Sequence, residues 1–365
     1  MPKSTGGGVD ATTTPDALSL LACTGPTRFQ TGAATVTMTA TAGANGYSAF
    51  TVDGNGDLAG FGYTFDATAL TTAAQDVAID TNATGNLGAA TNGSTVMLAA
   101  ATGLPSSTGT KLYALADDMT NLAAPSLRDG ELLATTPIVA SPVDNGFALF
   151  TINGSEMDAN HVAPDGSDAG GLVAVVPSAE APGYESVTPV PNGYAIGYAS
   201  ARSSPRQATL ELVDATTFAI TAGPVAVDNA QYDEYDPVIA AVGTTYLVAW
   251  HAKDVTDDDD IWFELRDASL APIGMPQQIA TFSHVPVVAS DGTSFFLVWD
   301  DYKPSDHLAG VQVMTDGTTT PISVLNTGGT PVGWAMATRG PQPVLVWIES
   351  GGTGPDLYLN PMCGP

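Results

Sequence analysis

Hydrophobic residues along this chain gather in short runs, and long patterns of helical period are absent. A run such as Tyr246–Trp250 is about five residues long and ends in polar or glycine-bearing turns, the pattern of a short strand. Stacking the runs exposes a repeat. An aromatic or apolar residue opens each one: Tyr47, Val96, Phe147, Tyr194, Tyr246, Phe295 and Pro343, with successive gaps of 49, 51, 47, 52, 49 and 48 residues. Three runs close on tryptophan, at Trp250, Trp299 and Trp347. About twenty residues after the opening residue comes an aspartate turn: Asp66, Asp118, Asp165, Asp214, Asp267 and Asp316. An aspartate at the first turn position bonds the amides that follow, so it closes a hairpin.

Each unit reads as four strands. In the fifth these are 237–241, 246–251, 261–266 and 273–280; in the sixth, 285–289, 294–299, 308–315 and 321–325. Four short antiparallel strands per period of roughly fifty residues predict an all-β, seven-bladed β-propeller. Helical solenoids are excluded because the chain lacks the helical period, and a parallel β-helix has shorter, more uniform coils. Residues 1–16 read as a flexible tail or spacer and 17–365 as one propeller domain. The expected blades are 34–84, 85–134, 135–183, 184–231, 232–281, 282–328 and 329–365, the last completed by 17–31.

The ends explain how the ring closes. The seventh unit stops after its third strand, near Asp356–Asn360, and the stretch 18–30 precedes the first strand of unit one. That stretch is free to supply the missing fourth strand, which removes an open seam. Cys23 and Cys363, the only cysteines, would then lie on neighbouring strands and are expected to form a disulfide. Closing so long a loop is worth roughly 5 kcal/mol in the chain-entropy model. The pair implies an oxidising compartment, so the chain is expected to be secreted, periplasmic or at the cell surface.

Composition narrows the function classes. The chain is 44% hydrophobic and 13% charged, enough to bury a large core. With 38 acidic residues against 10 basic ones, its formal net charge is −28. Such a surface repels phosphate backbones and anionic lipid, which argues against nucleic-acid and peripheral membrane binding. Leu20-Leu-Ala-Cys23 has the form of a lipidation motif, but the polar, acidic stretch 9–16 stands where an apolar segment is required. No apolar run approaches the roughly twenty residues of a membrane span. The chain is read as a monomer.

The four-strand units, with Trp299-Asp300 ending a second strand, resemble those of bacterial secreted propellers over residues 18–363. The Trp-Asp dipeptide is similar to that of WD40 blades but occurs once in this position, and Ser290-Asp-Gly-Thr-Ser294 resembles a sialidase Asp-box without its downstream Thr-Trp. The resemblance implies a propeller fold and carries no activity with it.

Candidate chemistry concentrates in units five and six. In a propeller, the connections between strands two and three share one face with those joining successive blades. That face is expected to carry 228–236, 251–260, 282–284 and 300–307, with His251, His284, His307, Asp233, Asp236, Asp300 and Asp301. Neutral imidazoles and carboxylates on adjacent loops suit a divalent metal ion: calcium where oxygen alone ligates, zinc, manganese or iron where histidine joins. The alternative is a solvated acidic surface. The run Asp257–Asp260 cannot aim all its carboxylates at one ion. Asp53-Gly-Asn-Gly-Asp57 begins like a calcium loop, with Asp53, Asn55 and Asp57 as its oxygens, but the twelfth position holds Thr64 rather than Glu; an ordinary Asn-Gly turn is the alternative. His161 falls within a third strand and reads as structural. No nucleophile elbow, zinc-protease motif or phosphate loop is present.

Two functions remain open at this point. One is a binding or scaffold propeller that uses the acidic, histidine-bearing face for a cation, small ligand, glycan or protein. The other is a metal-dependent hydrolase or lyase at the channel mouth near blades five and six. A lectin with equal sites in every blade is disfavoured, because the loops 104–108 and 200–206 are neutral or basic.

Overall fold

The computed structural model describes residues 27–31, 37–43, 46–66, 69–104, 107–178, 180, 182–202, 204–227, 232–253, 259–303, 305–322, 328–339, 342–350 and 356–362. All regular structure in it is β, arranged as seven four-stranded antiparallel sheets. The first strand is β1 (Thr27–Thr31). Blade one holds β2 (Thr37–Ala42), β3 (Gly46–Val52), β4 (Leu58–Asp66) and β5 (Ala69–Asp80). Blade two holds β6 (Ala83–Thr91), β7 (Val96–Leu104), β8 (Ser107–Leu115) and β9 (Ser126–Asp129). Blade three holds β10 (Leu132–Ala140), β11 (Phe147–Asn153), β12 (Glu156–Val162) and β13 (Val173–Val176). Blade four holds β14 (Pro182–Val190), β15 (Gly193–Ser200), β16 (Gln207–Asp214) and β17 (Ile220–Ala226). Blade five holds β18 (Asp233–Val242), β19 (Thr245–Lys253), β20 (Asp259–Arg266) and β21 (Gln277–Thr281). Blade six holds β22 (Ser283–Ser290), β23 (Ser294–Asp301), β24 (His307–Met314) and β25 (Thr319–Pro321). Blade seven holds β26 (Thr330–Arg339), β27 (Gln342–Ser350) and β28 (Asp356–Pro361), with β1 as its outer strand.

Every residue that opens a repeat begins or nearly begins a second strand. These are the most buried strands of the fold, because both of their faces meet a neighbouring blade: all eight residues of β15 are buried. Seven hydrophobic clusters fill the seven seams between consecutive blades. Trp250 and Trp347 are wholly buried among them, each contributing roughly 1.5–3 kcal/mol of apolar burial.

The inner strands pack side by side around a central channel of about 500 Å³, whose wall includes Thr39, Thr91, Ser186, Ser290, Trp334 and Thr338. The ring closes where β2 packs against β26 and β1 pairs with β28. Arg28 opposes Tyr358 in that pairing, and its guanidinium lies 2.7 Å from Asp356. Closure by an N-terminal strand is thus as expected. Cys23 and Cys363, and with them the expected disulfide, lie outside the described residues, as does the tail 1–16.

Five of the six aspartate turns behave as their sequence predicts; residues 67 and 68, which follow Asp66, lie outside the described residues. Asp118, Asp165, Asp267 and Asp316 each accept the amide and hydroxyl of the Ser or Thr two residues on, and Asp214 accepts from Thr216 and Thr217. Those hydrogen bonds hold all five carboxyls below their ordinary pKa. No helix among the described residues is long and apolar enough to cross a membrane.

Candidate functional site

The polar residues of units five and six sit on strand ends, where a loop placement was expected. Asp233 and Asp236 belong to β18, His251 to β19, His284 to β22, Asp300 and Asp301 to β23, and His307 opens β24. Strand pairing continues past the last apolar residue, so these polar side chains stand on paired strand ends at one rim of blades five and six.

A shared irregularity aims them. The register of first and second strands shifts between Tyr235 and Val238 in blade five, and between His284 and Val287 in blade six. Bulges of this kind redirect side chains at sheet rims. Asp236, Phe282 and Val285, at these two bulges or beside them, have φ of 47°, 59° and 50°. Such values are unusual for residues with a side chain, and the surrounding pairing holds them there. The amide of Tyr302 donates to the Phe282 carbonyl at 3.1 Å.

The result is three histidine–carboxylate pairs. His251 Nδ1 lies 3.1 Å from Asp236 Oδ2, with Asp259 Oδ1 at 4.0 Å from its Nε2. His284 Nδ1 lies 3.4 Å from Asp300 Oδ2. His307 Nε2 lies 3.9 Å from Asp301 Oδ2, while its Nδ1 meets the Ser305 carbonyl at 2.7 Å. Aromatic rings back the first two: Tyr235 stacks on His251 at 5.1 Å, and Tyr302 stands edge-on to His284 at 5.3 Å. The Tyr302 hydroxyl also reaches the Asp259 amide at 3.4 Å, linking blade six to blade five. Burial pushes the Asp300 carboxyl up to about 6, against the opposing effect of His284.

Asp259 Oδ1, Asp300 Oδ1 and Trp299 Nε1 are buried without a hydrogen bond, while His251 Nδ1 and His284 Nδ1 meet only the carboxylates given above, in poor hydrogen-bond geometry. Among the described residues, no three of His, Cys, Asp and Glu gather in a group that could hold a metal ion. The histidines pair each with its own carboxylate. Asp233 turns elsewhere and accepts the Arg206 amide at 2.6 Å. The residues 254–258, with Asp257 and Asp258 of the acidic run, lie outside the described residues.

Sequence reasoning did not single out Tyr235 or Tyr302, and weighed Asp259 only as one member of the acidic run Asp257–Asp260. The strand pairing supplies the missing signal, since Tyr235 stands directly across from His251. His161 is structural, as expected: it stacks on Phe218 at 4.5 Å and bonds the Thr216 carbonyl at 3.1 Å.

In the Asp53–Asp57 loop the first carboxylate bonds within the loop. Asp53 Oδ1 accepts the amides of Asn55 and Asp57, both at 2.8 Å, and Oδ2 accepts Asn55 Nδ2 at 3.1 Å. The Asp53 carboxylate is thus engaged with its own loop.

No known protein family matches the chain, and no curated protein matches it in sequence. Solved structures do. A chain in the crystal structure of a mitotic checkpoint complex is 10% identical with a TM-score of 0.56, covering 100% of both chains. The SapL1 lectin in complex with alpha methyl fucoside is 9% identical with a TM-score of 0.48, covering 82% of this chain and 98% of that one. The Dos1 propeller is 8% identical with a TM-score of 0.47, covering 92% and 94%. The likeness is one of fold alone.

Proposed function

We propose that this chain is a binding propeller of an extracellular or periplasmic setting, and that its rim at blades five and six takes a positively charged group. That group is a divalent cation, or an amino group carried by a small ligand, glycan or protein. The observation that carries this reading is a pair of buried carboxylate oxygens without a hydrogen bond, Asp300 Oδ1 and Asp259 Oδ1, on a chain of net charge −28. Buried carboxylate oxygens without a partner are costly, and a cation offsets that cost directly.

Elemental analysis and calorimetric titration with zinc, manganese, calcium and an alkylamine test the reading. Binding by the wild type that is lost in Asp300→Asn and His284→Ala supports it. Identical heats in wild type and both variants, or no binding to any probe, overturn it.

One observation favours a second reading. A buried Asp300 with its carboxyl near 6, beside His284, has the proton affinity of a general acid or base at mildly acidic pH. This is the metal-dependent hydrolase or lyase alternative. Turnover of a chromogenic ester or glycoside by the wild type that Asp300→Asn abolishes would establish it; the same turnover in the variant rejects it.

A further inference from the structure

The rim of blade six carries an aromatic corner beside its histidine–carboxylate pairs. Phe282 lies between β21 and β22, and Tyr302 follows β23 directly. Their half-buried rings are 6.4 Å apart with an interplanar angle of 75°. The ammonium of Lys303 occupies this corner: Nζ lies 3.8 Å from the centre of the Phe282 ring and 5.6 Å from that of Tyr302. A cation is attracted to the negative face of an aromatic ring, and both distances fall within the roughly 6 Å over which that attraction acts.

The fold holds both rings in place. Phe282 has φ of 59°, a conformation that a residue with a side chain keeps only where its surroundings impose it. Its carbonyl accepts the Tyr302 amide at 3.1 Å, and the Tyr302 hydroxyl reaches the Asp259 amide at 3.4 Å. Asp301 stands across from Ser283 and accepts the Lys303 amide at 3.3 Å, which puts a carboxylate at the base of the same turn. Blade five differs. Its Tyr235 carries the His251 ring, stacked at 5.1 Å, and the Arg206 guanidinium carbon at 5.1 Å, and the Arg206 backbone is itself fastened to Asp233. In blade six the cation sits on an exposed lysine, at the end of a flexible four-carbon stem.

We propose that Phe282, Tyr302 and Asp301 form a binding site for a quaternary ammonium group, and that Lys303 is its tethered competitor. The inference rests on the reading that this rim takes a positively charged group, and it names an organic cation for the part of the rim that the rings form. The lysine ammonium is compact and strongly hydrated, so it gains little from the rings and leaves them readily. A quaternary ammonium spreads its charge over methyl groups, sheds water at lower cost and can touch both rings at once. Asp301 supplies the opposite charge, and the acidity of the whole chain draws cations to the rim.

The test is calorimetric titration of the full chain, at fixed pH and ionic strength, with choline and with its uncharged isostere in which carbon replaces the quaternary nitrogen. The wild type is expected to bind choline and not the isostere. Lys303→Met, an exposed change, should bind choline roughly two- to five-fold more tightly, the range of one cation–π contact at an exposed site. Phe282→Leu, folded as judged by circular dichroism, should lose most of the affinity with or without Lys303→Met. Arg202→Met, which removes one positive charge from blade four, should match the wild type. Equal tightening in Arg202→Met and Lys303→Met would reduce the effect to net charge and overturn the proposal. Equal binding of the isostere, or unchanged affinity in folded Phe282→Leu, overturns it too. Heats from zinc or calcium that Asp300→Asn abolishes, with none from choline, overturn the aromatic site and leave the rim reading standing; no heat from any probe overturns both.

Discussion

His284 on β22 stands directly across from Asp300 on β23, and the same two positions of the preceding blade hold Tyr235 and His251. The histidine has moved from the first strand to the second, and its carboxylate now comes from the bulge, at Asp236. Two successive blades therefore build the same kind of pair from different strand positions, side by side on one rim.

Asp300 gives that rim a pH signature. Burial raises its carboxyl from 3.8 to about 6, with His284 and His307 opposing and Asp306 and Asp301 reinforcing the shift. The folded chain thus binds this proton more tightly than the unfolded chain, so Asp300 subtracts from stability as pH rises through that interval. The deficit is on the order of 3 kcal/mol once both states are ionised. In metal-free buffer, Asp300→Asn should melt with the wild type at low pH and above it at neutral pH. A gap that stays constant across the interval contradicts a buried carboxylate.

The architecture was legible in the sequence because its signal repeats. Tyr47, Phe147, Tyr194, Tyr246 and Phe295 recur where a strand must be buried on both faces, and the aspartate turns recur where a hairpin must close. The site was legible only by address. His251, His284 and Asp300 were traceable to the correct face, but polar residues after an apolar run look like loop when they continue a strand. Which carboxylate meets which histidine depends on register and on the bulges at Asp236 and Val285, set by pairing between strands rather than by local composition.

The aspartate turns predict the acid limb of stability. Hydrogen bonds hold Asp118, Asp165, Asp214, Asp267 and Asp316 below their ordinary pKa, so their contribution is present above the unfolded value and lost as pH falls through the folded one. Replacing Asp214 and Asp267 together by Asn should lower the neutral-pH melting temperature and flatten its fall on acidification. An acid limb as steep as that of the wild type would show that these turns do not contribute.

Gly193 marks a close backbone approach. A Cβ there would lie 1.8 Å from the Val213 carbonyl oxygen, an atom fixed by the β15–β16 ladder. Gly193→Ala should therefore cost several kcal/mol, about as much as a large core truncation. Unchanged melting of purified Gly193→Ala would contradict the register placed here.

Ring closure makes the sharpest demand on the N-terminal strand. β1 covers the outer edge of β28, and Arg28 fastens it to Asp356. Without it, β28 exposes a row of unpaired backbone groups, the usual template for association between chains. Deleting residues 1–31 should lower the melting temperature and drive association visible by size-exclusion chromatography with light scattering. Arg28→Ala alone should change little, since the ion pair is half exposed and such pairs are worth up to about 1 kcal/mol. We further propose the Cys23–Cys363 disulfide as the covalent form of the same closure. Reduction should then lower the melting temperature of the intact chain but leave a Cys23→Ser, Cys363→Ser double variant unaffected. Equal sensitivity of both proteins to reductant would reject the bond while leaving closure by β1 in place.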